Sequence, residues 1–137
     1  MSIAINEIGT KENSDKTNIA RIIEYFDATD LKGQAGTKTW GWCSAYANWV
    51  MKSAGYTGTN SGKANSWLNW GNALTEPQYG CLVVTYKNDL YHVGFYAGQG
   101  ANDLTINLLG GNQTDQVMYQ QYYYLKTDVV RCAWPNP

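Results

Sequence analysis

The chain is expected to fold as an α+β domain, with N-terminal helices packed on one side of an antiparallel β-sheet of about five strands. Apolar residues recur at a helical period in its first half and in short alternating runs in its second. With 137 residues, 44% of them hydrophobic, it suits a single domain spanning 1–137 around one sizeable core.

Residues 18–29 place Ile19, Ile22, Ile23 and Phe26 on one helical face, with Asn18 or Thr17 as the N-cap. Residues 31–41 carry three glycines and no sustained period, which predicts a loop. Over 43–54, Cys43, Ala47, Val50, Met51 and Ala54 share a helical face and Gly55 supplies the stop, so Cys43 falls in a first helical turn. A short turn of helix is expected at 64–70, ended by Gly71. Strands are expected at 81–86, 91–97, 104–109, 116–120 and 129–134, separated by Asn88-Asp89, by residues 98–100 and by Gly110-Gly111.

Composition narrows the function. Only 15% of the residues are charged and the net charge is -1, which lacks the cationic field that nucleic acid rewards; a neutral polar partner fits better. No apolar run approaches the ~20 residues of a membrane span. Residues 1–8 include Asn6 and Glu7 and have neither a basic nor an apolar leader region, so no secretory signal is expected and work outside the cytoplasm would need another export route. Three cysteines and one histidine make a structural zinc site improbable, and no metal or cofactor is expected.

A thiol in the first turn of a helix feels the positive end of the dipole and unpaired amides, which favour the thiolate. Cys43 has that position; as a sequence feature it is otherwise a small buried apolar residue. His92 opens an alternating run in which His92, Gly94 and Tyr96 share a face, with Gly94 leaving room beside the imidazole. A cysteine nucleophile needs such a base, and His92 is the only histidine. For a third group holding the far imidazole nitrogen, Asn107 and Asn112 compete. Six tryptophans and eleven tyrosines against two phenylalanines favour clefts for sugars or peptides, with Trp40, Trp42 and the run Tyr122-Tyr123-Tyr124 as candidate walls. Cys81 and Cys132 either pair, if the last strand returns beside the first, or remain two buried thiols.

Taken together, Glu7-Ile8-Gly9 with Glu12, the stretch from Ile22 to Phe26, Trp42-Cys43-Ser44-Ala45-Tyr46 with Asn48-Trp49-Val50, and Ser66-Trp67-Leu68-Asn69-Trp70-Gly71 form one ordered set. It continues through His92-Val93-Gly94-Phe95-Tyr96, 49 residues after the cysteine, and Gly110-Gly111-Asn112-Gln113. This set resembles the NlpC/P60 superfamily of papain-like cell-wall cysteine amidases, related to CHAP domains, especially phage lysin domains and small type VI secreted amidase effectors. The resemblance covers nearly the whole chain. It implies a papain-like core, Cys43 as nucleophile, His92 as base, Asn112 in the third place, and peptidoglycan as substrate.

Trp40, Trp42 and Tyr96 would then contact the substrate. Gly110 stands where CHAP domains carry a Glu, and Cys81 where an acidic residue is expected. A monomer is expected, acting in the periplasm or cell wall after delivery by a secretion system or phage lysis, and for an effector an immunity protein would block the cleft. The alternatives are a non-catalytic glycan- or peptide-binding module using the Trp and Tyr surface, and acyl transfer by the same residues.

Overall fold

A computed structural model describes residues 1–12, 15–33 and 41–137. Its helices are α1 (Ser2–Asn6), α2 (Lys16–Asp27) and α3 (Cys43–Ser53), followed by a 3₁₀ helix at Ala64–Asn69. The strands are β1 (Asn72–Ala73), β2 (Leu82–Lys87), β3 (Leu90–Gln99), β4 (Ile106–Gln113), β5 (Gln116–Gln120) and β6 (Val129–Trp134), with a 3₁₀ turn at Lys126–Asp128 before β6. The architecture is α+β, an open antiparallel sheet in the order β1-β6-β2-β3-β4-β5. Among the described residues it has six strands rather than about five, because two residues of β1 add to the end of β6, a pairing too short to leave a periodic trace in sequence.

The α2 helix starts earlier than expected. Asp15, not Thr17 or Asn18, is the N-cap, its carboxylate accepting from the Thr17 and Asn18 amides at 2.8 and 3.4 Å. The buried stripe is Ile22, Tyr25 and Phe26, while Ile19 and Ile23 are exposed. Tyr25 takes the core position because its polar tip is satisfied there. The hydroxyl donates to Glu7 Oε1 at 2.7 Å, an oxygen also held by Arg21 Nε at 3.0 Å. Its ring packs on Trp42, Tyr46 and Trp49.

The α3 helix begins at Cys43 as expected and ends at Ala54 and Gly55, whose φ of +85° is the left-handed stop that glycine tolerates. It is the central helix of the core formed with one sheet face, against Leu82, Val84, Val93, Phe95, Leu109 and Val117. Its first turn is pinned by buried polar bonds. Trp67 Nε1 donates to Ser44 Oγ at 2.8 Å and Ser44 Oγ donates to the Ser61 carbonyl at 2.7 Å. Asn48 Nδ2 also donates to the Ser61 carbonyl at 3.0 Å, and its Oδ1 accepts from the Asn60 amide at 2.9 Å.

The β2–β3 hairpin turns at Asn88-Asp89, both at positive φ, as a two-residue turn requires. The β4–β5 hairpin does not turn at Gly110-Gly111. It turns at Thr114-Asp115, also both at positive φ, and the glycines lie inside β4. They thin the strand on its two faces. A Cβ on Gly111 would stand 2.7 Å from Tyr46 Cβ and 3.0 Å from the Trp42 ring, and one on Gly110 would stand 3.1 Å from His92 Nε2.

On the sheet's other face lies a second cluster of Cys81, Val83, Ile106, Leu108, Tyr124 and Cys132. β6 does return beside β2, yet Cys81 and Cys132 are free thiols. The register places Cys132 opposite Val83, leaving Cys81 diagonal to it, and each sulfur has its own partner. Cys81 Sγ accepts from the Gln78 amide at 3.4 Å, and Cys132 Sγ donates to the Leu74 carbonyl at 3.2 Å.

Candidate active site

Cys43 is the first residue of α3 and is partly exposed. Its sulfur faces the His92 imidazole and the backbone amides of Val93 and Ser44. The Val93 donor is available because of the way the sheet opens. Tyr96 uses its N–H and C=O toward Cys81 and Gly80, so by alternation those of Val93 point to the β4 side. There β3 pairs with β4 only as far as Phe95 and Leu109. Beyond that pair the Val93 amide lies off the ladder and faces the thiol.

Burial alone would raise the Cys43 pKa and lower that of His92. Each group reverses this for the other. The thiol is held below its usual range, burial being outweighed by the His92 charge and hydrogen bond and by the two amides. The imidazole is held above its usual range, burial being outweighed by the facing Cys43 thiolate and by the hydrogen bond that His92 donates to Gln113. The pair therefore favours thiolate and imidazolium.

The third residue is Gln113, whose Oε1 lies 3.0 Å from His92 Nε2. Its Nε2 donates to the carbonyls of Leu108 at 3.2 Å and Met118 at 2.6 Å, which fixes the amide orientation. Oε1 must then accept, so His92 Nε2 carries a proton and Nδ1 faces the thiol. Asn112, the residue expected in this role, is not the one that meets the imidazole. Between the pairs Gly110↔Met118 and Gln113↔Gln116, β4 advances three residues and β5 two. That bulge, with Asn112 at φ +56°, turns Gln113 onto the His92 side and Asn112 off it; the Asn112 amide lies toward Gly41. Asn107 shares the face of Leu109, turned away from His92, and its buried Oδ1 has no hydrogen-bond partner.

Tyr124 stacks on the imidazole, centroids 5.2 Å apart and planes 8° apart, and closes the side of the ring. In the sequence it is only the last of three consecutive tyrosines, and nothing local separates it from its exposed neighbours. Gln113 was visible as the end of the Gly-Gly-Asn-Gln segment, but choosing it required the bulge. Gly94 has a different neighbour from the one expected. A Cβ there would meet the Leu109 carbonyl at 3.1 Å, and Gly110 is the glycine that leaves room beside the imidazole.

Of the expected substrate contacts, Trp42 is 1% exposed, stacks on Tyr25 and donates to Glu12 Oε2 at 3.4 Å. It is a core residue, placed there because its indole N–H finds a carboxylate, and it is not a cleft wall. Tyr96 is on the His92 face but lines a separate cavity with Ile106, Val129 and Cys132. Trp40 lies outside the described residues. Among the described residues no helix is long and apolar enough to cross a membrane, and no group of three or more His, Cys, Asp or Glu side chains could hold a metal ion.

No family model matches this chain, nor does any curated protein or solved structure.

Proposed function

We propose that this chain hydrolyses an amide bond of the peptidoglycan peptide stem by a cysteine mechanism, on a papain-like core of the NlpC/P60 type. The observation that carries the reading is the thiol at the start of α3 facing an imidazole whose far nitrogen is held by Gln113. The sequence resemblance supplies the substrate.

In this mechanism the Cys43 thiolate adds to the amide carbonyl carbon. The developing oxyanion is met by the Cys43 backbone N–H, one of the amides a helix start leaves unpaired. The His92 imidazolium delivers its Nδ1 proton to the nitrogen as the C–N bond breaks, leaving a thioester and a free amine. Neutral His92 then takes a proton from water, whose oxygen adds to the thioester carbon. Collapse releases the carboxylic acid product and restores thiolate and imidazolium. Gln113 acts by position, keeping Nε2 protonated so that Nδ1 handles every transfer.

The chain would act in the periplasm or cell wall after delivery as an antibacterial effector or phage lysin. An effector would require an immunity protein over Cys43. The test is digestion of purified sacculi followed by mass spectrometry of the muropeptides. The expected result is one new amine and one new carboxyl terminus per cut, absent with C43A. Intact muropeptides from a wild-type preparation whose Cys43 still alkylates would overturn the reading.

A further inference from the structure

A groove of about 500 Å³ runs along the outer edge of the sheet, lined by residues 118–123. Its lining is three tyrosines, two glutamines and a methionine, with no charged side chain. Tyr122 is 74% exposed, and Tyr119 and Tyr123 are also open to solvent. Large rings left in water at a groove, beside neutral amides that both donate and accept, match a neutral polyhydroxyl ligand. An acidic peptide stem would find no cation in the lining, and Lys87, which lies over the Tyr123 ring, is already paired with Asp128 at 3.3 Å.

Two sets of contacts link the lining of the groove to the His92 imidazole. Tyr123 packs edge-on against Tyr124, centroids 4.9 Å apart, and Tyr124 is the ring stacked on His92. Met118, at the other end, accepts through its carbonyl from the Gln113 amide that holds the imidazole. The groove is not a place for an added strand, because the edge is already occupied. Val117 exchanges hydrogen bonds with Gly9 and Thr10, the Asp115 carbonyl accepts from Glu12, and the Gln121 carbonyl accepts from Ala101. The run of free backbone groups that strand addition needs is therefore interrupted.

We propose that this groove is a sugar subsite, binding the N-acetylated glycan strand by stacking on Tyr119, Tyr122 and Tyr123 while the attached stem reaches Cys43. The proposal rests on the hydrolase reading for its substrate but not for its test.

The test is calorimetric titration of the full-length C43A chain with a β-1,4-linked N-acetylglucosamine tetramer. Saturable binding is expected. Y119A, Y122A and Y123A should each weaken it by roughly three- to tenfold, the range of one aromatic contact. Shifts of the backbone amide resonances of residues 118–123 on adding the tetramer provide a readout independent of any variant's stability. No binding by C43A, unchanged affinity in all three variants, or a stem peptide binding there in place of the tetramer would overturn the subsite. The two readings fail separately. Sacculi cut by a wild-type chain that ignores the tetramer leave the hydrolase without this subsite, and tetramer binding by a chain that cuts nothing leaves the subsite without the hydrolase.

Discussion

Cys43 differs from Cys81 and Cys132 in what faces its sulfur. All three thiols are desolvated, and burial pushes each of them up. For Cys81 and Cys132 burial decides the outcome and both stay above the ordinary thiol range. Cys43 ends below it, because an imidazole and two amide donors face the sulfur. Cys81 and Cys132 face one amide donor and one carbonyl acceptor respectively. The contrast lies in what the opened end of β3 presents to the sulfur, and it can be tested from either side.

The largest effect belongs to His92. H92A should lower wall hydrolysis by about 10³-fold, within the range of acid–base catalysis. It should also move the pH midpoint of Cys43 alkylation upward, because the influences removed are those that lower the thiol pKa while burial remains. A midpoint unchanged in H92A would mean that the helix and amides alone make the thiolate. In the wild-type chain, rapid alkylation should persist below the ordinary thiol range, and raising the pH through the elevated imidazole pKa should remove the acid needed for amine departure.

Gln113 comes next. Losing one hydrogen bond to a charged partner costs about 1.5–3 kcal/mol, so Q113A should slow hydrolysis by roughly 10- to 10²-fold. N112A should change the rate by less than about threefold, its cost appearing as reduced stability at a left-handed backbone position. Rates measured side by side in the two variants decide between the residues, and the reverse order would return the orienting role to Asn112.

The smallest effect concerns the other two thiols. C81A and C132A should leave the hydrolysis rate within about twofold of wild type. Each should lose roughly 1 kcal/mol of stability from the vacated space, read by denaturant melts. The folded chain should show one rapidly titrating thiol and the unfolded chain three. Two rapid thiols in the folded chain would erase the contrast from which these expectations derive.

Much of the fold was legible because it rests on local periodicity. The start of α3 at Cys43 and its stop at Gly55, the Asn88-Asp89 turn, and the ends of β5 and β6 follow from residue pattern and turn chemistry. The misread elements are those where a polar partner distant in sequence decides. Tyr25 displaces Ile19 and Ile23 from the buried stripe because Glu7 receives its hydroxyl. Trp42 leaves the cleft for the core because Glu12 receives its indole N–H. Gly110-Gly111 looks like a turn but is strand, because α3 on one side and the imidazole on the other leave no space for a Cβ.

For the candidate site, sequence alone singled out the thiol and the imidazole that the fold brings together. A thiol in a first helical turn and the chain's single imidazole on an alternating strand are properties of residue type and position, and a lone histidine leaves no competitor. Tertiary structure alone decided what orients them. One extra residue in β4 reverses which side chains face His92, so the choice between Asn112 and Gln113 depends on a register shift invisible to any local pattern. The Tyr124 stack and the Val93 amide are set in the same way. The amide is off the ladder only where β3 and β4 part, and the stack joins two rings far apart in sequence, so neither is encoded by one strand alone.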